Sequence, residues 1–92
     1  MKDQYETLQN VLDRAYQQAA TGKGNERHGN NLCFEQQPMQ KLIDIYGVGF
    51  AMGQAAKKSQ EAMRLPKDKA VHELLGAINY LAGVVVWLER AE

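Results

Sequence analysis

The chain has 92 residues, 45% of them apolar, and its eleven Lys and Arg are balanced by eleven Asp and Glu. That length allows one domain with a modest core, and the balance excludes both a global field for DNA or anionic lipid and a carboxylate surface that mimics DNA. A single cysteine, Cys33, excludes an intramolecular disulfide and a CxxC zinc cluster, and points to a reducing, cytoplasmic setting.

Met1, Lys2, Asp3 and Gln4 are followed by no apolar stretch, so no signal peptide is expected. Leu8, Val11, Leu12, Ala15, Tyr16 and Ala19 then recur at the three-four spacing of an amphipathic helix over about residues 3–21. Asp3 suits its start, and Gly22 stands where a left-handed terminating residue would sit.

Residues 22–37 have no helical or strand period, and an unstructured loop of that length is uncommon in a compact domain unless it is functional or disordered. It holds Lys23, Arg27 and His28 beside Gly22, Gly24 and Gly29. Glycines let backbone amides approach an anion, Arg offers a bidentate fork and Lys a point charge, a combination that suits phosphate. Asn25, Asn30, Asn31, Gln36 and Gln37 carry the donor and acceptor pairs that read a base or ribose, while Leu32, Cys33 and Phe34 are apolar enough to anchor the segment. The alternative is a solvated turn with ordinary surface charges and a structural His28. "GKGNERH" is neither a Walker sequence nor a dinucleotide fingerprint.

Pro38 fits the first turn of a second helix, expected to run to about Leu65. Three glycines interrupt it in "YGVGFAMG", each costing about 1 kcal/mol against alanine. Either Gly49, Gly53 and Ala56 form a stripe that another backbone approaches, or the helix kinks there. Gln54, Lys57, Lys58, Glu61 and Arg64 form a polar side, on which Lys57 and Lys58 either pair with Glu61 or face the loop of another copy.

Pro66 opens a third helix to about residue 90, and the short connection predicts an antiparallel hairpin of two long helices. From Leu74 to Leu88, "LLGAINYLAGVVVWL" is apolar all round except for Asn79 and the Tyr80 hydroxyl. A helix without a solvent face needs covering on every side, so a homo-oligomer, dimer or tetramer, is expected. Gly76, Tyr80, Gly83 and Trp87 share a face suited to that contact. Asn79 is expected to set helix register. The longest apolar run, Leu81 to Leu88, is eight residues against the roughly 20 a membrane span needs, so no membrane partner is expected.

The blocks "GKGNERH...FEQQP...GQAAKK...EAMRL...ELLGAINYLAG" resemble a group of small phage and prophage proteins from Ala20 onward. In architecture the chain is similar to oligomeric anti-defence proteins that sequester nucleotide immune signals, and to the all-α nucleotide pyrophosphohydrolases of the MazG type. The second resemblance implies magnesium held by ExxE and ExxD pairs, but Glu61 is followed at the third position by Arg64 and Glu73 by Gly76, so both pairs are broken. The expectation is therefore an all-α, oligomeric, non-enzymatic protein that sequesters a cyclic nucleotide or ADP-ribose-like signal, with no cofactor, metal or DNA partner. An adaptor that grips a host enzyme and a MazG-like nucleotide pyrophosphohydrolase are the alternatives. The candidate ligand residues are Lys23, Gly24, Arg27, His28, Asn31, Phe34, Gln37, Lys57 and Lys58.

Overall fold

The computed structural model describes residues 3–21 and 32–90, which hold four α-helices, one short 3-10 turn and no strand. Helix α1 spans Glu6–Thr21, and the 3-10 turn spans Phe34–Gln36. Helix α2 spans Pro38–Tyr46, α3 spans Gly49–Ala62 and α4 spans Lys67–Arg90. The all-α class expected from periodicity is what the chain adopts.

Helix α1 begins where Asp3 accepts the Tyr5 backbone N–H on its carboxylate at 2.9 Å, satisfying a donor that the first turn leaves free. Along α1 only Ala15 is buried. Two polar ties hold the helix to α4: Asn79 Nδ2 donates to the Ala15 carbonyl at 3.0 Å, and Gln18 Nε2 donates to the His72 carbonyl at 3.1 Å. Advancing along α1 thus means retreating along α4, so the two run antiparallel. Asn79 has the register role its isolation in an apolar run suggested.

The second helix departs from expectation. Instead of one rod over residues 38–65, α2 ends at Tyr46 and α3 starts at Gly49. Gly47 takes φ 83°, a left-handed conformation that a Cβ disfavours, while its N–H still closes onto the Ile43 carbonyl at 2.7 Å. The kink reading of "YGVGFAMG" is therefore the one realised. Among the described residues, a Cβ at Gly49 or Gly53 would meet nothing within 4 Å, so none of their backbone approaches that stripe. The bend has a packing reason: it lets Ile43 on α2 and Ala51 on α3, both fully buried, close together on Val84 of α4. Met39, Val48, Phe50, Tyr80 and Trp87 pack around these three.

After Ala62, the N–H groups of Met63, Arg64 and Leu65 bond back to carbonyls three residues earlier, and Pro66 leads into α4. Helices α3 and α4 pack in opposite directions, Phe50 against Tyr80 and Lys58 against Glu73. Two further contacts seat α2. Gln40, almost fully buried, donates Nε2 to the Gly83 carbonyl at 2.9 Å, and Met39 Sδ occupies the space where a side chain on Gly83 would start. The stripe Gly76, Tyr80, Gly83 and Trp87, expected to meet another copy, is thus turned onto the chain's own elements. Gly76 lies under Lys58, Tyr80 meets Phe50 edge-on, Gly83 is buried by α2, and Trp87 Nε1 donates to Asp44 at 2.6 Å. Its small residues admit α2 and Lys58 of the same chain.

What one chain leaves bare lies elsewhere: Leu74, Leu81, Val85 and Leu88 of α4 are exposed. By length and composition α4 is also the one described helix long and apolar enough to cross a membrane.

Candidate functional site

The end of α1, the 3-10 turn, the start of α2 and the facing sides of α3 and α4 enclose a cleft of about 480 Å³, within the range of small-molecule sites. Each wall follows from a feature already described. The antiparallel seating of α1 brings Gln18 and Ala19 to one rim. Gln37, just before the first turn of α2, donates Nε2 to the Leu32 carbonyl at 3.0 Å and so holds the 3-10 turn back against the helix, with Phe34 on the opposite rim. The bend at Gly47 aims Phe50 inward, where its ring meets Tyr80 edge-on at 6.5 Å and 74°.

The described cation of this cleft is Lys58. Its Nζ lies 3.4 Å from Glu73 Oε2 and 5.9 Å from the Tyr80 ring centroid. Gly76 permits this path, because a Cβ there would come within 3.3 Å of Lys58 Cδ. Lys58 therefore reaches across to α4 instead of pairing with Glu61 on its own helix. Lys57 makes the expected helical pair, 3.9 Å from Glu61, and stays out of the cleft. A lysine held by a carboxylate and a ring face keeps its charge in one place, and a phosphate oxygen would compete with Glu73 for the same ammonium.

Of the residues singled out from the sequence, Phe34, Gln37 and Lys58 come together in the cleft. Lys23, Gly24, Arg27, His28 and Asn31 lie outside the described residues. The chain on either side of that segment borders the cleft, at Ala19 and at Phe34. Sequence reasoning missed Gln18, Phe50, His72 and Glu73 as lining residues, assigned Tyr80 to an interface, and preferred register to ligand contact for Asn79. The signal available was weak: Glu73, Gly76 and Tyr80 fall on one side of α4 at helical spacing, but nothing local says that α3 and α1 would flank it.

Among the described residues, no group of three or more His, Cys, Asp or Glu stands together as metal ligands would. Glu61 and Glu73 each face a lysine. No protein-family model matches the chain, and neither a curated protein nor a solved structure matches it.

Proposed function

We propose that the chain binds a nucleotide-derived small molecule in this cleft and sequesters it without turnover. The observation that supports this reading is the convergence of three aromatic rings, Phe34, Phe50 and Tyr80, with the Lys58 ammonium and the side-chain amides of Gln18, Gln37 and Asn79 in one small-molecule-sized recess. Ring faces suit a base, amides with paired donors and acceptors suit its edge or a ribose, and an ammonium suits phosphate. Lys23, Arg27 and His28 add phosphate-binding capacity on the strength of sequence alone, from a segment whose neighbours on both sides line the recess. Binding without hydrolysis is favoured because Glu61 and Glu73 are engaged by Lys57 and Lys58 rather than grouped to hold magnesium. The resemblance to small phage proteins adds the setting, an anti-defence sponge for a cyclic nucleotide or ADP-ribose-like signal in a bacterial cytosol.

Calorimetry against cyclic dinucleotides, cyclic ADP-ribose isomers and mononucleotides tests the reading. One class binds saturably and is recovered unchanged. Lys58→Ala and Arg27→Ala each weaken that binding about tenfold or more, the loss expected of a charge-assisted contact, while helix content is kept. Absence of binding across the panel, or release of pyrophosphate in the presence of magnesium, overturns it.

A further inference from the structure

Helix α4 carries a second pattern on the side away from the cleft. Val71, Leu74, Ile78, Leu81, Val85 and Leu88 are spaced alternately three and four residues apart, a heptad seam over three repeats. Every a position of that seam is β-branched, Val71, Ile78 and Val85, and every d position from Leu74 on is leucine, Leu74, Leu81 and Leu88. The described residues leave most of it open: Leu74, Leu81, Val85 and Leu88 are 44%, 48%, 54% and 56% exposed, and Val71 and Ile78 are half-buried. Of its flanking positions, Ala70, Ala77 and Ala82 are small, while Leu75 and Val84 are buried within the chain. The contacts to α1, α2 and α3 use the other positions: Asn79 and the His72 carbonyl bind α1, Gly83 receives α2, and Glu73 and Tyr80 meet α3.

We infer that this seam is the dimer interface of the protein, and that its occupant is α4 of a second copy running antiparallel. A strict heptad of apolar residues is needed only where another helix follows it, since a helix packed on a globular core shows a broader and less regular stripe. In an antiparallel pair about a twofold axis, Val71 layers against Leu88 of the partner subunit, Leu74 against Val85 of the partner subunit, and Ile78 against Leu81 of the partner subunit. Each layer then joins one β-branched residue to one leucine, and all three repeats are filled. Charge selects the direction. Lys67 holds the next d position, so a parallel pair would set it against its own copy inside the seam, whereas in an antiparallel pair it lies beyond Leu88 of the partner subunit, at the open end of the contact. The helix dipoles favour the same choice. Pairing on this face leaves both clefts open, because His72, Glu73, Gly76, Asn79 and Tyr80 lie off the seam.

Sedimentation equilibrium of the full chain should give twice the 10.3 kDa chain mass at micromolar concentration. Leu81→Lys should weaken the dimer by at least about 30-fold, as removal of an interface centre does, with unchanged helix content. Met63→Lys, at a still more exposed apolar position off the seam, should leave the mass unchanged. In a Cys33→Ser background, Leu74→Cys combined with Val85→Cys should form disulfide-linked dimers, and Leu74→Cys alone should not. Those two positions are about 16 Å apart along one helix at 1.5 Å per residue, so no link forms within a chain. A monomer at 100 µM (roughly the upper end of the affinities typical of weak specific association), or a dimer indifferent to Leu81→Lys, overturns the interface. Cross-linking of Leu74→Cys alone overturns the antiparallel direction. Partition of the wild-type chain into phosphatidylcholine and phosphatidylglycerol vesicles in place of dimerisation assigns α4 to lipid and overturns both.

Discussion

The two sides of α4 both carry apolar surface but are used differently. Toward α1, α2 and α3, apolar contact is interrupted by polar groups that fix position: Asn79 on the Ala15 carbonyl, Gln40 on the Gly83 carbonyl, and Lys58 on Glu73. On the other side there is regular Val, Ile and Leu with no polar tie. An irregular, polar-pinned face specifies one neighbour in one register, whereas a periodic greasy face is general and needs only a matching helix. In α4, composition therefore says how much surface must be covered, and the placement of glycines and amides says which part is covered from within.

Substitutions should separate the two faces, and the largest effect is expected inside. Ile43→Ala removes a fully buried side chain from the junction of α2, α3 and α4 and should cost about 3 kcal/mol, read from urea unfolding followed by Trp87 fluorescence. Ile43→Val, at about 1 kcal/mol, keeps the domain folded if the larger truncation does not. Gly83→Ala follows, because its Cβ would run into Met39 Sδ. Displacement of α2 should outweigh the gain in helix propensity, for a net loss of about 1 to 2 kcal/mol. The matched change Gly76→Ala meets the flexible stem of Lys58 at 3.3 Å and Gln18 Nε2 at an ordinary contact distance of 3.6 Å, and should be neutral or slightly stabilising.

Asn79→Ala removes the tie to α1 and should cost about 1 kcal/mol, with faster amide exchange in α1 than in α3. At the small end, Gln40→Met is informative about sign. Gln40 Nε2 is bonded, but its Oε1 is buried without a partner among the described residues. Replacing the amide by an apolar side chain of similar size should leave stability unchanged or raise it by up to about 1 kcal/mol. Gly53→Ala, at a helical position with open space around the new methyl, should add about 1 kcal/mol or less. If Leu81→Ala on the outer face destabilises dilute protein as strongly as Gly83→Ala does on the inner one, the distinction between the faces is lost.

Much of this molecule was determined by short-range chemistry. The all-α class, the helix starts near Asp3, Pro38 and Pro66, the surplus of apolar surface on α4, and the pairing of Lys57 with Glu61 all depend on residues within a few positions of one another. Periodicity, proline and capping act over that range, so they are legible along the chain. The candidate cleft was legible only in part, through Phe34, Gln37 and Lys58. What the tertiary structure alone decided are choices among local equals. Gly47, Gly49 and Gly53 were comparable sites for a break, and Gly47 takes the left-handed turn because only there do Ile43 and Ala51 meet Val84 together. Glu61 and Glu73 were both available to Lys58, and the nearness of α4 over Gly76 selects Glu73. Which side of an all-apolar helix turns inward depends on partners far away in sequence, such as Gln18, 54 positions from His72, and no local preference reaches across that separation.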